Sequence, residues 1–401
     1  MIDLQQLRDC YVSTPSKIVM LVADGLGGVP HPDTRKSELE AARIPNLNAL
    51  AGRSACGLTV PVLPGITPGS GPGHLALFGY DPLKYVIGRG VLEALGIDVP
   101  LKKGDVAARG NFCTVDSNGL LTDRRAGRIP TELSAPLAVR LDTINVPGVE
   151  LSAYPVKDHR FVLVLRGQGL DDRVSETDPQ RTGVAPLDAQ ALAPEAKRTA
   201  QATNEFTRRA RELLRGEERA NMVLLRGFSQ LPHLPPMGVV YRLVPAAIAA
   251  YPMYRGLARV VGMEVILTGA TFADEVATLE AHFAEHDFFF LHYKPTDAAG
   301  EDGNFDGKVK ALEALDEYIP RILALKPDVL MVAGDHATPS LMASHSWHPV
   351  PFMLHSRLTL GEGVEGFNER ACARGSLGTF PAVNIMLLAL SHAGKLTKFG
   401  P

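Results

Sequence analysis

Apolar and polar positions follow two different rhythms along the chain. Near the start, the unbroken apolar run Ile18–Ala23 is fenced by Pro15 and by the turn Asp24-Gly25. That pattern predicts a strand buried on both faces and ending in a polar loop. A short helix opening near Pro45 follows, with Leu47 and Leu50 on one face, and residues 70–79 predict a glycine-opened helix. In the C-terminal half, strands and helices alternate. Residues 265–267, 288–292, 329–333 and 350–354 read as strands, and 272–283, 306–325 and 381–390 as helices. In the long segment 306–325, Val309, Leu312, Leu315, Ile319 and Ile322 recur at helical spacing and supply a core-facing stripe. Such alternation predicts an α/β fold, a mostly parallel sheet flanked by helices. Between Gly88 and Gly216 the rhythm breaks into short runs, such as 107–115 and 161–165, separated by Pro- and Gly-rich turns. This predicts a smaller α+β domain, residues 88–216, inserted into a domain made of 1–87 and 217–401.

Length agrees with two domains, because 401 residues exceed the size at which one core keeps growing. A formal net charge of -3 supplies no global basic field, which argues against nucleic acid and an anionic membrane as partners. An anionic substrate must then be held by local clusters of Arg and Lys. No run of 18 apolar residues occurs, and residues 1–17 lack the apolar core of a secretory signal. The cysteines Cys10, Cys56, Cys113 and Cys372 are far apart and form no C-x-x-C pair. Free thiols in a reducing cytoplasm are expected.

Three carboxylates stand at or just after apolar strands. Asp24 ends the first, Asp297 follows the strand at 288–292, and Asp335-His336 ends the strand at 329–333. Ligands bind at this edge of open parallel sheets. Carboxylates gathered there repel one another unless a divalent cation joins them. Taken singly, each is equally well a turn aspartate or a satisfied histidine. The clustering of Asp335, His336, His345 and His348 favours a metal site. Mixed carboxylate and imidazole donors suit Mn, Zn or Co, and an all-oxygen set suits Mg or Ca.

Ser70 sits in Pro68-Gly69-Ser70-Gly71-Pro72-Gly73-His74, just before a predicted helix. Backbone N–H groups and the positive end of the helix dipole favour an approaching phosphate, and metal coordination can turn a serine hydroxyl into a nucleophile. Without the metal ligands, an N-cap serine in a glycine loop would be the better explanation. The same loop lacks the Lys-Ser/Thr ending of a P-loop. Gly25-Leu26-Gly27-Gly28 is no dinucleotide fingerprint, H-E-x-x-H is absent, and Pro68 replaces the first glycine of a nucleophile elbow. Basic residues offer an anion grip: Arg124, Arg125 and Arg128 beside Asp123, then Lys157, His159 and Arg160, then Arg89, and Arg255 with Arg259 on a predicted helix.

In this order, the residues resemble the cofactor-independent phosphoglycerate mutases of the shorter archaeal-type branch, within the alkaline phosphatase superfamily. The resemblance runs through residues 20–25, 70–74 with 77–82, 88–90, 123–128, Thr296-Asp297 with 303–309, 334–336, and His345 with 349–351. It implies an alkaline-phosphatase-like sheet and interconversion of 2- and 3-phosphoglycerate in glycolysis and gluconeogenesis, through a phosphoserine and without 2,3-bisphosphoglycerate. It also implies two divalent ions (Mn, or Zn, Co or Mg). One would be held by Asp24, Ser70, Asp335 and His336, the other by Asp297, His345 and a further histidine. That histidine belongs at 301, where this chain has Glu301; Glu301 itself, His292 or Asp302 are the candidate replacements. Arg124, Arg125, Arg128 and Arg160 match the family's substrate-binding segment. Two other readings remain open on the same residues: a phosphatase, another phosphomutase or a small-alcohol kinase with this site, and a catalytically silent metal- or phosphoglycerate-binding protein.

Overall fold

Six consecutive apolar residues leave β1 (Ile18–Ala23) without a polar face, and all six are buried in the computed structural model of the chain. The structure describes residues 7, 9–361 and 364–400, so part of the N-terminal segment read above lies outside the described residues. The described chain divides into two compact units, residues 1–86 with 234–401 and residues 87–233.

The first unit begins with β1 and β2 (Ala55–Val60). The second carries β3 (Val106–Val115), β4 (Leu121–Asp123), β5 (Glu150–Pro155), β6 (Arg160–Arg166) and β7 (Met222–Gln230). The chain then returns to the first unit with β8 (Pro245–Ile248), β9 (Glu264–Ile266), β10 (Phe288–Tyr293), β11 (Val329–Ala333), β12 (Val350–Ser356) and β13 (Gly378–Pro381). Its sheet has the order β13-β2-β12-β11-β1-β10-β8-β9. All neighbours are parallel except the pairs made by β12 with β11 and with β2, which gives the mostly parallel α/β sheet anticipated from the alternation.

Register matters most for the site. Val22 pairs with His292 on one side of β1 and with Ala333 on the other. β1 and β10 therefore end level and β11 one residue earlier, so that Asp24 and Lys294, which follow directly, and Asp335, which follows Gly334, leave the sheet at one edge. Below that edge, Val19, Leu21, Leu47, Phe289, Leu312 and Leu330 join one core, each buried side chain contributing about 2 kcal/mol.

Two predicted elements need correction. The segment 306–325 is two helices, Phe305–Asp316 and Ile319–Ala324. Pro320 lacks the N–H that a helix interior requires, so it is tolerated only at a fresh start. The segment 381–390 begins with the end of β13, and its helix runs Ile385–His392.

In the second unit β3 pairs antiparallel with β4, β6 and β7. Val106, Phe112, Phe161, Leu163, Phe206 and Val223 form its core. This corrects the C-terminal limit of the inserted segment: β7 completes this sheet, so the unit closes at 233, not 216. No helix among the described residues is long and apolar enough to cross a membrane.

Candidate active site

Asp24, Asp297, Asp335 and His336 are fully buried side by side in the first unit. The turn that brings Asp24 in admits only glycine next to it. Gly25 has φ +65°, and a Cβ there would lie 2.6 Å from Thr338 Oγ1 and 2.9 Å from the backbone of Asp297. Its N–H donates to Asp335 Oδ1 at 3.2 Å, tying the ends of β1 and β11 together.

Ser70 is the first residue of the helix Ser70–Leu77. Gly69 takes the N-cap position, so the serine hydroxyl is not spent on capping. Ser70 Oγ lies 3.2 Å from His336 Nε2. The helix approaches closely because Gly73 has no side chain: a Cβ there would sit 2.2 Å from the Asp335 carbonyl oxygen. One turn on, His74 Nδ1 lies 2.9 Å from the Ser70 carbonyl and 3.1 Å from Asp335 Oδ2.

The hydrogen bonds fix which lone pairs point inward. Thr338 Oγ1 donates to Asp297 Oδ1 at 2.7 Å and therefore accepts from His336 Nδ1 at 2.9 Å. His336 Nε2 is left as a lone pair, 3.4 Å from Asp24 Oδ1 and 3.1 Å from Asp335 Oδ2. Both of those buried oxygens lack a hydrogen-bond partner. Similarly, His345 Nδ1 donates to the Pro68 carbonyl at 3.0 Å, leaving its Nε2 3.6 Å from Asp297 Oδ1 and 3.6 Å from Glu301 Oε1. Two ligand groups result, Asp24–Asp335–His336 and Asp297–His336–His345, each with its donor atoms within 4.8 Å of one another. Buried carboxylate oxygens without donors, beside imidazole lone pairs, fit divalent cations. Glu301, more exposed than the rest, stands at the rim of the second group.

Burial opposes the ionisation of Asp24, but the His292 hydrogen bond and the charge of Lys294 outweigh it and hold the carboxyl well below its ordinary value. Asp24 Oδ2 accepts from Tyr254 Oη, from His292 Nε2 at 3.1 Å and from Lys294 Nζ at 3.2 Å. Burial beside Asp24 and Asp335 pushes the Tyr254 phenol well above its usual range, so Tyr254 serves as a donor. His292 stacks on Tyr254 at 3.5 Å and belongs with Asp24, which removes it as a replacement ligand beside Asp297. Asp302 is exposed at the C-cap of the helix Pro295–Glu301. His348 bonds to Ser346 and joins neither group. Tyr254, Lys294 and Thr338 escaped the reading of the sequence. The signal available was Lys294 one helical turn before Asp297.

The basic residues sort differently. Arg255 is half-buried on the helix Pro252–Val260, next to Tyr254. In the second unit, Arg124 donates twice to the buried Asp178, at 2.8 and 2.7 Å, and is an internal brace. Asp123 accepts the N–H groups of Arg125 and Gly127 at 2.7 Å and shapes the turn. Arg128 is exposed on that turn. Arg109, on β3, makes a 3.1 Å ion pair with Glu93. Burial and the like charges of Arg89, Arg160 and Arg226 bring Arg109 down to about 10. Burial, then Arg160, Arg109 and Arg125, depress His159 to about 4. Arg89, Arg125, His159 and Arg160 thus share one electropositive neighbourhood, joined by Arg109 and Arg226, which the sequence alone did not single out.

Residues 51–220 match the family described as 2,3-bisphosphoglycerate-independent phosphoglycerate mutase. A probable 2,3-bisphosphoglycerate-independent phosphoglycerate mutase of Thermus thermophilus is 50% identical over 399 residues, 98% of each chain. One of the same description from Thermotoga neapolitana is 52% identical over 403 residues, the whole of both chains. Among solved structures, the cofactor-independent phosphoglycerate mutase of Thermoplasma acidophilum superposes with a TM-score of 0.72 at 29% identity, over 94% of this chain and 100% of that one. The PH0037 protein of Pyrococcus horikoshii gives a TM-score of 0.84 at 27% identity, over 96% and 99%. Identity of this order along whole chains settles kinship: the chain belongs to the 2,3-bisphosphoglycerate-independent phosphoglycerate mutase family.

Proposed function

We propose that the chain interconverts 2- and 3-phosphoglycerate by passing the phosphoryl group through Ser70, with two divalent ions held at the ends of β1, β10 and β11. The observation that carries this reading is the convergence of Ser70 Oγ with the His336 Nε2 lone pair, at 3.2 Å, beside the unpartnered oxygens of Asp24 and Asp335. Asp24, Ser70, Asp335 and His336 would hold one ion, and Asp297, His345 and Glu301 the other; manganese suits this donor set, with Zn, Co and Mg as alternatives. Bound there, divalent ions neutralise the developing phosphoryl charge and favour the alkoxide form of serine.

The chain's own groups do the rest. Ser70 Oγ gives up its proton and bonds to phosphorus as the bond from phosphorus to the substrate's oxygen breaks, and that oxygen takes up one proton to become a hydroxyl, so no proton is gained or lost overall. The neighbouring hydroxyl of the same glycerate then attacks phosphoserine, and Ser70 returns. The N-terminus of the Ser70–Leu77 helix presents N–H groups to the phosphoryl oxygens. Arg255 is the first unit's candidate for the carboxylate, and Arg89, Arg125 and Arg160 are the second unit's own anion-binding candidates. Such a reaction places the enzyme in glycolysis and gluconeogenesis.

Incubation with 3-phosphoglycerate and manganese should give 2-phosphoglycerate with no accumulation of free phosphate. Inorganic phosphate as the main product would replace the mutase reading with that of a phosphatase. Ser70→Ala should lower kcat by at least about 10³-fold. A Ser70→Ala enzyme as active as the wild type would overturn the covalent route.

A further inference from the structure

Lys294 follows β10 directly and precedes Asp297 by three residues on the same turn of chain. Its ammonium reaches one carboxylate from each ligand group. It lies 3.2 Å from Asp24 Oδ2 and donates to Asp297 Oδ2, with Tyr254 Oη 3.1 Å away. The opposite oxygen of each carboxylate faces the imidazoles: Asp24 Oδ1 faces His336 Nε2 at 3.4 Å, and Asp297 Oδ1 faces His345 Nε2 at 3.6 Å. One fixed positive charge thus joins the two groups from behind. An ammonium and a divalent ion draw on the same carboxylate charge, so each weakens the hold on the other.

We propose that Lys294 is a built-in counter-cation shared by the two ligand groups: it holds Asp24 and Asp297 in place and sets the site's affinity for divalent ions by competing for the same two carboxylates. Lys294 is thereby a positioning residue that acts through Asp24 and Asp297. The inference rests on the metal-binding reading of the site given above.

The test is manganese titrated calorimetrically into the full chain, previously stripped with chelator, together with melting curves with and without the ion. Lys294→Met should bind manganese about tenfold more tightly or better, because a like charge a few ångströms from the ion is gone. Stripped of metal, the same variant should melt below the wild type, since its buried carboxylates face one another uncompensated. Its metal-induced rise in Tm should therefore be the larger. Lys294→Arg, which keeps the charge, should stay near the wild type in all three measurements. If Lys294→Met does not fold, Lys294→Gln keeps a donor, loses the charge and carries the same expectation. Unchanged or weaker manganese binding by the neutral variant would overturn the role of Lys294. Absence of manganese binding by the wild type would instead overturn the metal reading itself.

Discussion

Glu301 is where this chain leaves the pattern its other candidate ligands follow. Its carboxylate lies 3.6 Å from His345 Nε2, but its side chain is 55% exposed, whereas Asp297 is fully buried. It adds charge and a hard oxygen donor at the rim of the second ligand group. Hard oxygen favours Mn and Mg, and imidazole favours Zn. Glu301→His should therefore raise affinity for Zn relative to Mn by about tenfold. Competition between the two ions, followed by metal analysis after dialysis, measures that ratio. An unchanged ratio would remove Glu301 from the coordination sphere and leave Asp297, His336 and His345 as the second group.

At the scale of elements, the loops at the sheet edge are held by a single buried side chain. Lys308, on the helix Phe305–Asp316, is fully buried and donates to the carbonyls of Gly25, Gly27 and Thr338 at 2.8, 2.9 and 2.8 Å. Burial lowers its pKa, although Glu38, Glu369, Asp297 and Asp24 oppose that. Lys308→Met would leave the carbonyls of Gly25 and Thr338 without a donor and Gly27 with only the Thr338 N–H, and should lower stability by about 2–4 kcal/mol. It should also cut turnover, since the loop carrying Asp24 and the Thr338 contact would both loosen. Chemical denaturation and steady-state kinetics on one preparation check the two effects together. Nothing about residue 308 in the sequence announces this, because its three acceptors lie 283, 281 and 30 positions away. The same limit explains what was and was not legible. β1, β10 and β11 were readable as apolar runs, and the aspartates at or just beyond them as candidates gathered at one sheet edge. β2 and β8, rich in small residues, and β13 gave no comparable pattern. Pro320 was readable as a helix breaker, yet the apolar stripe running across it suggested one helix. Tyr254 was invisible for the reason Lys308 was, since its partner Asp24 is 230 positions away. Lys294 offered one local signal, Asp297 three residues on, and its second partner Asp24 is brought close by the register of β1 against β10.

At the scale of the whole molecule, the dependence of stability on pH should have two limbs of separate origin. In the second unit, His159 is buried with its folded-state pKa near 4 against an ordinary 6.5. The unfolded chain binds that proton first, so this contribution is complete above about pH 6.5 and is lost as pH falls toward 4. In the first unit, Glu275 is buried on the helix Phe272–His282 and accepts the Ala250 N–H at 2.7 Å. Burial, against that hydrogen bond, raises its carboxyl from 4.5 to about 8. Here the folded chain keeps a proton that the unfolded chain has released. The contribution is therefore complete below about pH 4.5 and shrinks by about 1.4 kcal/mol per unit as pH rises to about 8. Glu275→Gln keeps an oxygen for Ala250 and cannot ionise. It should match the wild type near pH 4.5 and exceed it by roughly 3–5 kcal/mol at pH 9. Denaturant unfolding across that range tests the difference, with tyrosine fluorescence and circular dichroism followed separately because two units need not unfold in one step. Parallel pH curves for variant and wild type would mean that Glu275 is already ionised in the folded state, and the alkaline limb would then require another source.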